Sequence, residues 1–460
     1  MAAVRAFTSI LPAEMQHMIF SRLPKSDLKN VRFIDLIDND TQKIVSILNS
    51  DPNGILDNQQ AKVSLLVLLG ALLRNCLTTF DSREYVLSNH DLGILLRNQT
   101  QIQDLAVSLN AERGGPPGVN YVRDTLSVLK TLHVRVLGSE HYAYQGEAHS
   151  APNDFDAWVL PRQTPLLMLR TIVLSEVRLS ESPRSIVDCL YLPDLWLLRI
   201  HGCDNIEPLL RSFSTAFKKT HRMSLETLEI HAFRSSISLP RVAAELLRAV
   251  TGLRTVKLGF SNGDLFELES LMGCGQTIET LEISHKDPKR RYSPQKLQQL
   301  TSSCPNLTSI GLNLVSLSRT IRAMRPYEPL QVSTSANSEP ALHKFTRSLQ
   351  VLAQLPRLER LCLTHRLRRS RIYNASERRW HYAQVADEIM RVLADNGSPV
   401  HVLQFCPTWT YDDDIHNVVF DESGHAWPRY TYKRGVVSLF GDSSAGTRTV
   451  AVPVKDDTSD

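Results

Sequence analysis

The residues best able to do chemistry in this chain are charged side chains gathered in short runs. Asp412-Asp413-Asp414 is the densest carboxylate cluster. Three consecutive positions do not reproduce the spaced oxygen ligands of a calcium loop, so solvated surface charge is the simpler reading. Lys286, Lys289, Arg290 and Arg291 form one basic run, and Arg366, Arg368, Arg369 and Arg371 form another, with Arg378 and Arg379 further on. Guanidinium groups pair bidentately with carboxylates and phosphates. Both runs are therefore candidate contacts for an acidic or phosphorylated segment, beside the plainer readings of loop charge or a nuclear import signal.

Other chemistry is harder to find. The 7 cysteines are scattered, with no CxxC pair and no Cys/His cluster at zinc spacing. No metal site is expected, and the thiols read as reduced, which places the chain in the cytosol or nucleus. No GxGxxG, P-loop, GxSxG or HExxH motif occurs, so neither a catalytic residue nor a cofactor is expected. A net charge of +4 over 460 residues is too mild to imply nucleic acid. The stretch before Pro12 and Glu14 lacks the apolar core of a secretory signal. The longest apolar run, Leu65 to Leu73, is closed by Arg74. It has about half the length a bilayer-spanning helix needs and reads as a core helix, so no membrane partner is expected.

The elements that would position these charges are written in a recurring triplet: apolar, two residues, apolar, one residue, apolar. It reads Ile102-Leu105-Val107, Leu129-Leu132-Val134, Leu169-Ile172-Leu174, Leu195-Leu198-Ile200 and Leu225-Leu228-Ile230. It continues as Leu253-Val256-Leu258, Ile278-Leu281-Ile283, Leu307-Ile310-Leu312, Leu358-Leu361-Leu363 and Val400-Leu403-Phe405. Most starts lie about 24 to 30 residues apart, a period that resembles leucine-rich repeats. Wider gaps before Leu169, Leu358 and Val400 hold insertions. The last two apolar positions of each triplet are two apart, so they share one face of a strand. Helical stretches follow several strands, at Pro240 to Val250, Ser293 to Ser302 and Glu377 to Asp395, the last stopped by Gly397. One strand–helix unit cannot bury its apolar face alone, whereas a stack can. The expected fold is an α/β leucine-rich-repeat solenoid, with a parallel sheet on the concave side and helices on the convex side. A doubly wound sheet would lack the short constant period and would show a glycine fingerprint.

Period-two alternation names the residues expected on the open face of the sheet. Among them Arg199, His201, Glu229, His231, Lys257, Glu282 and Arg360 are candidate partner contacts, together with Arg290, Arg291, Arg368, Arg369 and Arg371. The mixture of charge, hydroxyl and imidazole suits a protein rather than nucleic acid, because it contains no aromatic stacking ladder. Cys203 and Asn205 stand where such repeats often place a polar residue that ties down a turn. Ser333 to Pro340 reads as an exposed loop. Trp427 to Tyr432 alternates like a strand that would cover the last open edge of the sheet.

Residues 10–33, ILPAEMQHMIFSRLPKSDLKNVRF, resemble the first half of an F-box. Leu11, Pro12, Glu14, Ile19, Leu23, Asp27, Leu28, Val31 and Arg32 fit its pattern. The order of F-box then repeats resembles the F-box/leucine-rich-repeat substrate receptors, particularly fungal ones. The resemblance implies that those nine residues bind a Skp-type adaptor of a cullin–RING (SCF-type) ubiquitin ligase, and that the repeats bind a protein substrate. The second half departs from the family: Phe33 is followed by IDLIDNDTQKIVSILN, and no tryptophan occurs before Trp158. The alternative is an interaction scaffold carrying a non-functional remnant. The expected organisation is a partial F-box-like helical segment at 1–33, then a helical linker with the first degenerate repeats at 34–100. The solenoid with insertions follows at 101–440, and a disordered tail at 441–460.

Overall fold

A computed structural model describes residues 43–44, 77–87, 89–110, 128–137, 168–177, 179, 187–188, 190–220, 223–232, 236–287, 290–314, 339–364, 375–405, 419–420, 426–427, 430–438 and 447–454. The expected F-box-like segment, the apolar run at 65–73 and the acidic run at 412–414 lie outside them. The chain forms two compact units. Unit 1 holds residues 1–216 and 222–224, and unit 2 holds 217–221 and 225–460.

In unit 1 six strands lie side by side in chain order. They are β1 (Lys43–Ile44), β2 (Thr79–Leu87), β3 (Asp104–Asn110), β4 (Thr131–Leu137), β5 (Thr171–Ser175) and β6 (Leu197–His201). Each pairs in parallel with the next. Helix α1 (Asn89–Asn98) separates β2 from β3, and α2 (Ile206–Lys219) follows β6.

Unit 2 continues the same grammar. Strands β7 (Thr227–Ala232), β8 (Thr255–Phe260), β9 (Thr280–His285), β10 (Ser309–Leu312), β11 (Arg360–Leu363) and β12 (Val402–Phe405) are parallel and in chain order. Between them run α3 (Leu239–Ala249), α4 (Pro294–Ser303), α5 (Glu339–Leu352) and α6 (Ala375–Asp395). Helix α4 packs against α5, and α5 against α6, so helices stack in the order of the strands.

The triplets dictate this arrangement. All three residues of each of the ten triplets are buried. Strand pairing keeps them aligned without slip: Leu105, Leu132, Ile172 and Leu198 are direct neighbours in unit 1. Leu228, Val256, Leu281, Ile310, Leu361 and Leu403 are neighbours in unit 2. A shift of one residue in any strand would turn its apolar pair to the opposite face. Burying each such side chain contributes about 1.5 to 3 kcal/mol. Both units are therefore leucine-rich-repeat solenoid, and the expected fold class holds.

Helix boundaries follow local chemistry. Ser293 caps α4 by accepting the Lys296 N–H at 3.3 Å, with Pro294 in the first turn, where its missing donor leaves no bond unmade. Gly397 closes α6 at φ +71°. There its N–H reaches the Ala394 carbonyl and the Ser398 N–H reaches that of Leu393.

Three differences from the sequence reading stand out. An earlier rung exists at Leu77-Phe80-Ser82, all buried; its strand β2 was hidden because serine fills the third apolar place. The stretch expected as a loop through Pro340 gives way to α5 at Glu339. The tail expected to be disordered from Gly441 instead contains β16 (Thr447–Val454). Its β-branched residues Thr447, Thr449, Val450, Val452 and Val454 favour a strand, and the surrounding Gly, Ser and Asp masked that preference in the composition.

The end of the sheet is built differently from its body. Strand β15 (Tyr430–Ser438) pairs antiparallel with β12, and β16 pairs antiparallel with β15. Trp427, expected in this covering strand, lies instead in β14 (Ala426–Trp427), which pairs with β13 (Val419–Phe420). Tyr382, Phe405, Tyr430 and Tyr432 pack ring on ring where α6, β12 and β15 meet. On the outermost strand the Ala451 N–H is taken by the Asp387 carboxylate from α6, and Pro453 has no N–H to offer. Both features blunt an edge that could otherwise recruit another strand. Burial raises the Asp387 carboxyl above its ordinary range, against the Ala451 N–H and the charge of Arg448.

Replacing Asp387 with Ala should therefore speed hydrogen exchange at Ala451 by about tenfold or more, the equivalent of one lost bond to a charged acceptor. Self-association by sedimentation should rise. Unchanged exchange across 447–454 would show that the carboxylate does not hold this edge.

Candidate functional site

The open face of the unit 2 sheet is a set of polar rows fixed by strand register. One row runs Thr227, Thr255, Thr280, Ser309, Arg360 and Val402. The next runs Glu229, Lys257, Glu282, Gly311, Cys362 and Gln404, and a third runs His231, Gly259 and Ser284. Hydroxyls thus line one margin, alternating charge occupies the middle, and imidazole and small residues fill the other margin.

The middle row has a defined ion pair. Lys257 Nζ lies 3.0 Å from Glu229 Oε1, with the Glu229 side chain only 6% exposed and that of Lys257 34%. Glu229 and His231 were expected to face a partner, but each is buried at 5% exposure. Two causes are visible. Lys257 covers Glu229, and Gly259 leaves space that His231 occupies. A Cβ at Gly259 would come within 2.6 Å of His231 Nδ1, and one at Gly311 within 2.9 Å of Glu282 Cγ. The glycines let long neighbours lie flat on the sheet. In this row Lys257, Glu282 and Gln404 are half-buried and reach solvent, while Glu229 is buried.

The remaining expected residues divide by place. Arg199 and His201 are half-buried on β6 in unit 1, in register with Val173 and Ser175. Arg360 is exposed at the start of β11. Arg290, expected to be an anion contact, is engaged internally: it lies 3.1 Å from Asp264 and 3.8 Å from Asp287. Asp264 ties the basic loop to the preceding rung, and Asp287 holds Arg290 from within the loop itself. Arg291 is half-buried beside it. Arg368, Arg369 and Arg371 fall outside the described residues, as do the nine F-box-like positions from Leu11 to Arg32.

The far ends of the strands are tied by polar side chains. In unit 1 the Cys203 thiol points to the carbonyls of Leu174 and His201 at 3.5 and 3.4 Å, and Asn205 donates to Leu179 at 3.1 Å. This is the turn-fixing role their position suggested. In unit 2 His285 serves instead: its Nδ1 accepts the Asp287 N–H at 3.0 Å while Nε2 sits 3.2 Å from the Gly263 carbonyl. Accepting at Nδ1 requires a neutral ring whose proton is on Nε2. Burial lowers its pKa from the ordinary 6.5; the Gly263 carbonyl and Asp287 oppose that shift, and Arg290 adds to it. Asn313 extends the tie by donating to the His285 carbonyl at 2.8 Å and accepting from Thr364. The sequence reading passed over His285 because the last residue of a strand, beyond the apolar triplet, gives no periodic signal.

Cys203, Cys274, Cys304 and Cys362 are free and buried. Burial pushes the thiols of Cys203 and Cys304 up to about 12 and that of Cys274 to about 11. Among the described residues no group of three or more His, Cys, Asp or Glu could hold a metal ion. No helix there is long and apolar enough to cross a membrane.

No family model and no curated protein matches this chain. Among solved structures, the leucine-rich repeat-containing protein LegL7 from Legionella pneumophila is similar at 12% identity and a TM-score of 0.34. The match covers 77% of this chain and 92% of that one.

Two outcomes follow from these groups. The neutral His285 contributes stability that is complete above pH 6.5 and declines as pH falls below it toward the lowered folded-state value. The wild-type melting temperature should therefore drop more between pH 7 and pH 5 than that of His285→Gln; parallel curves would remove His285 from the account. Native-state alkylation with iodoacetamide, read by peptide mass spectrometry, should leave Cys203, Cys274 and Cys304 unmodified until the fold opens.

Proposed function

We propose that this chain is a non-catalytic leucine-rich-repeat receptor that grips a protein partner on the open face of its sheet. On the strength of residues 10–33, we further propose that it is the substrate-recognition subunit of an SCF-type ubiquitin ligase in the cytosol or nucleus. The observation that carries the first step is the register of the polar rows. Lys257 and Glu282 stand on neighbouring strands with Arg360 two strands beyond Glu282, on a backbone that cannot slide without exposing its core. A rigid display of alternating charge selects a complementary protein surface and disfavours a like-charged one.

The second step rests on the F-box-like pattern from Leu11 to Arg32. A receptor of this kind needs no reacting groups of its own. It raises the local concentration of substrate lysines near a charged ubiquitin carrier, and the gain comes from tethering alone. The departure after Phe33 favours a second reading, in which the segment is a remnant and the repeats act as a scaffold outside ubiquitination.

Co-purification separates the two. The full chain should recover a Skp-type adaptor, and Leu11→Ala combined with Ile19→Ala should lose it, while Lys257→Ala and Arg360→Ala retain it. Failure of the unaltered chain to bring down the adaptor would leave the scaffold reading in its place.

A further inference from the structure

A second surface stands apart from the open face, on the edge formed by the residue just before each strand. In unit 1 these residues are Gln103, Lys130, Arg170 and Trp196. Each N–H donates to the carbonyl of the one before, from Lys130 to Gln103 at 2.7 Å, from Arg170 to Lys130 at 2.8 Å and from Trp196 to Arg170 at 2.8 Å. They therefore form a column with side chains about 4.8 Å apart from strand to strand.

Two features of the column are unusual. Trp196 is 45% exposed, and Met168, two residues before Arg170, and Tyr191, five before Trp196, are 42% and 48% exposed. Next to them Lys130 and Arg170 sit on adjacent strands, and among the described residues neither has a carboxylate partner. The equivalent column in unit 2 reads Glu226, Arg254, Glu279, Thr308, Glu359 and His401. There the single arginine lies between carboxylates, 3.8 Å from Glu226 and 3.5 Å from Glu279. In unit 2 the one cation of this column is thus paired within the column itself. Among the described residues, unit 1 instead sets two like charges on adjacent strands with no carboxylate between them, an arrangement that destabilises a sheet unless an anion bridges them.

We propose that this edge of unit 1 docks an acidic, extended segment of a partner protein. Its carboxylates would lie over Lys130 and Arg170, and a bulky apolar side chain would rest on Trp196. Tryptophan and arginine, here exposed on adjacent strands, are among the residue types that dominate binding energy at protein interfaces. An extended chain advances about 3.3 Å per residue, so acidic residues one or two apart span neighbouring strands and an apolar residue follows within reach of Trp196. Single-stranded nucleic acid fits less well, because two cations neutralise few phosphates.

The test is fluorescence anisotropy on the full chain with a labelled peptide alternating glutamate with leucine and phenylalanine. The same peptide with lysine for glutamate, and a thymidine oligonucleotide of similar length, serve as competitors. The glutamate peptide should bind saturably and weaken with added salt. Lys130→Glu with Arg170→Glu should lower its affinity at least tenfold, Trp196→Ala should lower it severalfold, and the milder Lys130→Gln with Arg170→Gln should fall between. Arg254→Glu in unit 2 should change nothing. Absence of saturable binding, equal affinity in the charge-reversed chain, or displacement by the oligonucleotide ahead of the peptide would overturn the proposal.

Discussion

Everything in this molecule depends on one constraint: neighbouring strands must keep the same triplet position side by side. Leu281 touches Val256 on one flank and Ile310 on the other because pairing admits no slip. The side-chain alternation of a strand has a period of two, so a single-residue error would expose the apolar pair and bury the polar row. Core formation and surface display are therefore the same event. The apolar residues fix the register, and the register sets which polar side chains stand beside which.

That coupling explains how the open face can hold a buried carboxylate. Glu229 is removed from water and compensated by Lys257 on the next strand at 3.0 Å. A carboxylate buried without such a partner would be strongly destabilising. The pair depends on strands β7 and β8 being in register, and Gly259 depends on the same alignment to make room for His231. The ties at the strand ends, through Cys203 in unit 1 and His285 in unit 2, fasten each turn to the preceding rung by different chemistry but at comparable positions.

The periodic part of this architecture was legible in the sequence, because burial of every third or second position leaves a regular apolar trace. The ten triplets, the helices after β7 and β9 and the stop at Gly397 all carry such a trace. What escaped lacks it. Ser82 broke the pattern of the rung at β2, and β16 was lost among small polar residues. The candidate face was legible in its composition but not in its exposure. Whether Glu229 or Lys257 reaches solvent is decided by side chains on the adjoining strand, about a repeat away in the chain. Arg290 looked like a free cation for the same reason, since its partner Asp264 belongs to the previous repeat.

The reversal of direction after β12 also limits how this protein could have grown. Between parallel strands, a duplicated strand–helix module finds the evenly spaced, slanted bonding pattern it already uses on both sides, so arrays lengthen by internal copying. Beyond β12 the neighbour is β15, which runs the other way, and the next strand, β16, meets a carboxylate and a proline at its outer rim. A new module placed there would find neither the spacing nor the donors it needs. At this end expansion is confined to positions before β12, and the terminal hairpin would be carried outward unchanged each time a copy was added there.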